Sequence, residues 1–323
     1  MNISISNRSL RTARAAGLLV IALTGGCRVK TTTHVSQAQQ ARPALSATKA
    51  QLLAAYNTQA KSVQSLNATV NLVLTAGSEY SGVIQQYHDV NAFILAQRPA
   101  SIRMIGQAPV IAKDVFDMTS DGKTFRIFIP SQNKFLTGSD TLVRAAAKPI
   151  ENLRPQHVLD ALFWPEIPDG SPVLIEEFEA SPNRYYILTL LRRSDAGPEI
   201  ERKIWFDRAD LSIARVQIYG PEGRLDADIA YSDWEASGSA PTAAATPAVA
   251  APAATTSSQS QFARDIHLRR PQEDYQLEIK VTKLALNAPI PADRFDLAQP
   301  AGSTLVRAGE DDAGAGAQPE AKP

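Results

Sequence analysis

The chain has 323 residues, 44% of them hydrophobic, with 33 Lys+Arg balanced by 33 Asp+Glu. That formal charge of zero argues against a nucleic-acid partner, which calls for a net basic face. The single cysteine, Cys27, excludes internal disulfides and cysteine-based metal sites, so the folded part is held by its own core.

Three arginines, Arg8, Arg11 and Arg14, precede a short apolar run, Ala15 to Leu23, which ends in Thr24-Gly25-Gly26-Cys27. A charged head, an apolar middle and small residues before a cut site are the parts of a secretory signal. The run is about half the roughly 20 residues that span a bilayer. The junction resembles the lipobox of bacterial lipoproteins, whose cysteine is lipidated and becomes the mature N-terminus. Residues 1–26 are then the signal peptide and Cys27 the lipidation site. Leu23 sits one place early, with Thr24 in the slot of the preferred aliphatic residue, and an ordinary cleaved signal with an incidental cysteine is the other reading. Residues 27–44 lack apolar periodicity and read as a flexible tether with a mean span of about 20–25 Å. Arg28 stands where an aspartate favours inner-membrane retention in enterobacterial lipoproteins, which leans toward an outer-membrane anchor facing the periplasm.

A helix is expected from about Ser46 to Ser65, with Ser46 as N-cap and Leu52, Leu53, Tyr56, Ala60 and Val63 on one stripe. From Leu66 the period changes to two, the alternation of a half-buried strand. Similar runs recur at about 82–97, 100–107, 112–119, 123–130, 133–137, 172–180, 183–193, 199–207, 211–219, 224–234, 262–269 and 274–286. Turn signals such as Asp121-Gly122, Asp169-Gly170 and Glu222-Gly223 separate them, so antiparallel meander pairing is predicted. One interruption, residues 150–164, places Leu153, Val158, Leu159, Leu162 and Phe163 on the apolar face of a short helix. Pro155 fits its first turn and Pro165 stops it. Residues 236–260, rich in Ala, Pro, Thr and Ser, read as a disordered insertion, and the Gly/Ala/acidic stretch 308–323 as a disordered tail. The domain proper is expected over 45–307.

Catalytic signals are absent from the pattern. His34, His88, His157 and His267 are far apart without metal-ligand spacing, and there is no GxSxG, P-loop or GxGxxG. No enzyme activity, metal or cofactor is expected. Several strands are instead apolar on both faces, as in Tyr185 to Leu191, Ile204-Trp205-Phe206 and Phe125 to Ile129. Phe125, Ile127, Tyr185, Ile187, Trp205 and Phe206 are therefore candidates to line a cavity. On periodicity alone, a curved sheet wrapped round an apolar ligand and a sheet whose residues merely fill a core fit equally well.

Four segments together resemble the periplasmic lipoprotein carrier and receptor family, the LolA/LolB type. They are Gln97-Arg98-Pro99 leading into Ser101-Ile102-Arg103-Met104; Ser120-Asp-Gly-Lys-Thr-Phe125 reaching Ile129-Pro130; the helix within Asn152–Phe163; and Ile290-Pro-Ala-Asp-Arg-Phe295 followed by Pro300-Ala-Gly302. The resemblance implies a mainly β fold: an unclosed antiparallel β-barrel with an N-terminal helix and a short helical lid over a hydrophobic cavity for acyl chains. It implies that Arg98 latches the lid, since a guanidinium offers five donors to unpaired carbonyls. It also implies that Pro109, Val110 and Ile111 form a membrane-insertion loop of the anchored, receptor-like member. The expected partners are acyl chains of lipoproteins or lipids, a soluble periplasmic carrier, and the membrane through the anchor, with the protein itself a monomer. A lipid-sensing module or glycolipid carrier on the same fold is the alternative.

Overall fold

The computed structural model describes residues 43–77, 84–108, 113–140, 153–236 and 261–308, and for 87–89 the backbone only. The signal peptide 1–26, Cys27, nearly all of the tether, the Pro109-Val110-Ile111 segment, nearly all of the 236–260 insertion and nearly all of the tail lie outside the described residues.

Helix α1 (Lys49–Ser62) opens the domain. Its N-cap is Thr48, two residues after the Ser46 expected, because Thr48 completes a capping box: it accepts from the Gln51 amide while Gln51 Oε1 accepts from the Thr48 amide. Leu52, Tyr56 and Ala60, spaced by four, form its buried stripe. Six strands follow: β1 (Ser65–Ala76), β2 (Gln85–Gln97), β3 (Ser101–Gln107), β4 (Asp114–Ser120), β5 (Thr124–Ile129) and β6 (Lys134–Ser139). Helix α2 (Pro155–Leu162) begins at Pro155 and is closed by Phe163. A second meander comprises β7 (Val173–Ala180), β8 (Asn183–Ser194), β9 (Gly197–Asp207), β10 (Ile213–Tyr219), β11 (Leu225–Ala236), β12 (Gln261–Arg270) and β13 (Tyr275–Leu286). The short strand β14 (Thr304–Arg307) ends the described chain.

These strands make one unclosed 14-stranded sheet in the order β14-β6-β5-β4-β3-β2-β1-β13-β12-β11-β10-β9-β8-β7. The two meanders join where β1 pairs with β13, and every pairing is antiparallel except β14 with β6. Sequence alternation located the other thirteen strands and missed β14. Four residues pairing in parallel after a long return leave no period-two signature, and the pairing partner lies far back in the chain. The return segment is fastened to the sheet by Arg103, which donates from Nη1 to the Arg294 and Asp296 carbonyls, and by Thr119 Oγ1, 2.7 Å from the Phe295 carbonyl.

The face on which both helices pack, called inner here, carries the core. Leu66, Ala68, Val70, Leu72 and Leu74 of β1 face it together with Ala92, Ile94 and Ala96 of β2, Ile102 and Met104 of β3, and Leu277, Ile279 and Val281 of β13. Register shifts interrupt β1 on both sides, between Thr69 and Val70 and between Leu72 and Leu74. Such bulges bend a strand and increase its twist, curling the sheet over the helices. The Ser-Asp-Gly-Lys-Thr turn has a plain local cause: Asp121 Oδ1 accepts from the Lys123 and Thr124 amides, and Gly122 takes φ +82° against Ala100.

Candidate functional site

The inner face is unevenly filled. Over the second meander, α2 and the residues after it sit on a dense set of polar aromatic contacts. Trp164 stacks on Tyr56 with ring centroids 5.8 Å apart and donates from Nε1 to Tyr231 Oη at 2.8 Å. Tyr231 in turn donates to the Ala161 carbonyl, and Tyr56 to the Pro165 carbonyl. Arg202, buried on β9, donates to Tyr56 Oη at 2.8 Å. Asn57 closes a two-bond bridge with the backbone of Ile167. His157 Nδ1 lies 2.7 Å from Tyr275 Oη. Burial raises the phenol pKa values of Tyr56, Tyr231 and Tyr275, keeping all three neutral hydrogen-bonding groups.

Arg98 stands where this assembly meets the β2–β3 turn. Its Nε donates to the Val63 carbonyl at 2.9 Å, and its Nη2 to the carbonyls of Ala60 at 2.8 Å and Trp164 at 2.9 Å. Its guanidinium also lies 5.1 Å from the Phe163 ring centroid. Ala60 and Val63 offer the unpaired carbonyls at the α1 C-terminus, where a cation also meets the negative end of the helix dipole. One side chain thus ties the end of α1 to the segment just after α2. Partial burial lowers the guanidinium pKa, yet Arg98 stays charged at any physiological pH.

Over the first meander the described residues leave the inner face unfilled. A cavity of ≈ 240 Å³ opens there, lined by Leu72 and Leu74 of β1, Val90 of β2, Met104 of β3, Val115, Phe116 and Met118 of β4, Ile127 and Ile129 of β5, Leu136 of β6, Leu277 of β13, and Leu153 just before α2. Ser131 and Gln132, in the turn after β5, supply its polar lip. Apolar engineered cavities of about 150 Å³ stay dry and accept benzene, so a stretch of hydrocarbon fits this one. Val115 at its edge is 38% exposed. Gly106 allows Phe116 to lie across β3: a Cβ there would meet the Phe116 ring. The Ala108 amide donates to the Lys113 carbonyl at 2.9 Å and brackets residues 109–112 immediately before these mouth residues.

Of the candidates read from sequence, Ile127 lines the cavity, and so does Leu153. Val158, Leu159, Leu162 and Phe163 are buried against the core. Phe125 is fully buried but lies under the Arg154 guanidinium, 4.4 Å from its ring centroid, and lines no free space. Phe206 is buried on β9 in the inner core, outside the cavity. Tyr185, Ile187 and Trp205 are corrected to the outer face: they alternate with inward Tyr186, Leu188 and Ile204, and Tyr185 and Trp205 line an outer trough. A run apolar on both sides does not reveal which parity points inward. The lining residues Leu72, Leu74, Met104, Met118 and Leu136 were visible as strand alternation but carried no mark separating cavity wall from filled core.

Among the described residues, no group of three or more His, Cys, Asp or Glu could hold a metal ion, and no helix is long and apolar enough to cross a membrane. No family model matches the sequence, and comparison with curated proteins returns no match. Among solved structures, the chain is similar in fold to a DUF1329 family protein from Desulfovibrio piger, at 13% identity and TM-score 0.46, covering 76% of this chain and 94% of that one. It is similar to a domain from Vibrio parahaemolyticus described as an outer membrane lipoprotein-sorting protein, at 10% identity and TM-score 0.44, covering 76% and 95%. A LolA-superfamily protein from Nitrosomonas europaea aligns at 10% identity and TM-score 0.42, covering 78% and 99%.

Arg98→Leu is expected to leave three carbonyls without their donor and lower stability by about 1–3 kcal/mol. Hydrogen exchange should then quicken selectively in 158–167; exchange unchanged there would show that Arg98 does not hold α2. His157 supplies a pH test. Burial first, then Arg270 and Arg154, depress its pKa well below the ordinary value, so the unfolded chain takes up a proton that the folded one refuses. Its contribution is complete above about pH 6.5 and declines as pH falls below it. Asp160 on the same helix, its pKa raised by burial, acts in the opposite sense, so the variant isolates the imidazole. Unfolding free energies from urea titration should fall between pH 7.5 and 5.5 by more in the wild type than in His157→Gln, a difference of about 1 kcal/mol. Equal falls would mean that His157 titrates freely.

Proposed function

We propose that this protein is a membrane-anchored bacterial lipoprotein that takes an acyl chain into the inner-face cavity, acting in lipoprotein sorting and transfer to the outer membrane. The observation that carries the reading is the ≈ 240 Å³ space between β1–β6 and Leu153, whose walls are aliphatic side chains, Phe116 and the two thioethers Met104 and Met118. Thioether side chains adapt to irregular hydrocarbon, and among the described lining residues the polar ones, Ser131 and Gln132, lie at the lip. Such a space binds through dispersion and the hydrophobic effect and has no use for a reactive group, so the proposed role is binding and handing over, not catalysis. In this proposal Cys27 carries the lipid anchor, a soluble periplasmic carrier delivers the cargo, and the segment of Pro109, Val110 and Ile111, adjoining exposed Val115, meets the bilayer that receives it. Arg98 serves as the latch that keeps α2 across the shell between loads.

A fluorescent fatty acid should bind the purified protein and be displaced by unlabelled chain. Leu74→Trp, which fills the cavity from β1, should weaken that binding by roughly tenfold or more, with its fold checked by circular dichroism because overpacking costs about 1–3 kcal/mol. Undiminished binding by the folded variant would remove the cavity from the function. For the anchor, Cys27→Ala is expected to move the protein from the membrane fraction to the soluble one; unchanged fractionation would rule out lipidation at Cys27.

A further inference from the structure

On the sheet face opposite the helices lies a second concavity, an open trough of ≈ 570 Å³. Its floor is made by the small side chains Ala214 and Ala230, and adjacent outward positions rise around them. One wall is aromatic: Trp205 on β9 is flanked edge-to-face by Phe178 of β7 at 5.3 Å and Tyr185 of β8 at 5.5 Å between centroids. Phe178 is 44% exposed, unusual for a ring fixed in a sheet, and nothing among the described residues covers it. The other side is polar. Asp228, its side chain 9% exposed, accepts from Arg215 Nε at 2.6 Å and from Arg269 Nη2 at 3.0 Å. Arg215 also lies 5.5 Å from the Trp205 ring centroid, which joins the two walls. His267 and Gln276 complete the rim.

Two guanidiniums meet one carboxylate in this trough, so its fixed charge is positive. Arg269 uses only Nη2 for Asp228 and has no other partner among the described residues, with half of its side chain exposed. Its planar fork is thus held in place by Asp228 while further donors face the trough. The ligand chemistry follows from this mixture. A hydrocarbon tail would not suit a floor bordered by Arg, Asp, His and Gln. A small inorganic anion would leave the three rings without a role. A sugar ring presents C–H faces suited to aromatic rings and hydroxyls suited to planar polar side chains, and a carboxylate on it would meet the arginine fork. The trough also falls within the size range of small-molecule sites.

We propose that the trough between β7 and β13 is a second binding site, taking an acidic saccharide in free oligosaccharide form. This goes beyond the acyl-binding reading and does not rest on it, since the two concavities lie on opposite faces of the sheet. The test is isothermal titration of the full chain with trigalacturonate, with maltotriose as the neutral counterpart. The wild type should bind trigalacturonate and bind maltotriose at least tenfold more weakly. Ala230→Phe, which fills the floor at an exposed position and spares the core, should abolish binding without changing the melting temperature. Arg269→Gln should weaken trigalacturonate binding by roughly tenfold and leave any maltotriose binding unchanged. No binding of trigalacturonate by the wild type, equal affinity for the two sugars, or binding untouched by Ala230→Phe would each overturn the assignment.

Discussion

An unclosed sheet has more apolar inner surface than two short helices can cover, and how α2 is held decides what happens to the remainder. Eight residues long, α2 is too short to be a stable helix alone and owes its place to tertiary contacts. Those contacts are lopsided. Tyr56, Tyr231, Tyr275 and Arg98 all meet α2 or the residues after it by hydrogen bonds, and Arg202 holds Tyr56 in place from β9. The three buried tyrosines each need a partner of fixed geometry, and with Arg98 at the β2–β3 turn they hold this segment in place. The first meander meets that segment through packing of α2 on β3 and β4, the Arg154 guanidinium on Phe125, Arg98 at the β2–β3 turn, and Leu153 at the cavity. The cavity is the space left by that asymmetry: polar networks demand close fit, whereas aliphatic walls tolerate a vacancy.

Arg98 deserves its central position for a related reason. Helix ends leave carbonyls unpaired, and the α1 C-terminus and the chain leaving α2 bring theirs to the same point. A single planar guanidinium serves both, where a lysine would offer a point charge without the fork. The latch proposed for this residue is therefore also a structural cap, and the two roles are coupled: releasing the lid segment leaves the Trp164 carbonyl to water while the α1 carbonyls keep their donor. An opening motion of that kind costs one bond of the three.

Much of this architecture was legible in the sequence. Period-two alternation from Leu66 onward located thirteen of the strands, most of which bury one face, and Pro155 and Pro165 bracketed α2 for steric reasons that hold in any context. Arg98 was singled out by resemblance alone; nothing in its local spacing says that three carbonyls will converge on it. The misplacement of Tyr185, Ile187 and Trp205 has a physical source. Where the outer face also bears large apolar residues, because a trough or an edge strand lies there, parity loses its information. Leu174 and Phe178 of β7, 61% and 44% exposed, show the same loss at the sheet edge. The aromatic partners of α2 were illegible for another reason: a tyrosine facing inward from a strand looks the same whether it fills space or holds a helix by its hydroxyl.

The size of the cavity bears on how acyl binding would proceed. At ≈ 240 Å³ it exceeds the roughly 150 Å³ that accommodates benzene, but lies below the ~300–1,000 Å³ of ordinary ligand sites. A long acyl chain would have to enlarge it, and the adjustable element is the aliphatic boundary at Leu153, not the hydrogen-bonded half. Burying a methylene is worth about 0.8 kcal/mol, so a chain that inserts eight of them gains about 6 kcal/mol. The bonds that hold the lid segment contribute about 1 kcal/mol net apiece, a sum of the same order. A chain that displaced the hydrogen-bonded half as well as the Leu153 boundary would therefore meet a cost close to its gain, the balance the proposed exchange requires. If the lid held much more tightly, no chain would enter; if it held much less, nothing would expel the chain once a bilayer offered an equal apolar environment.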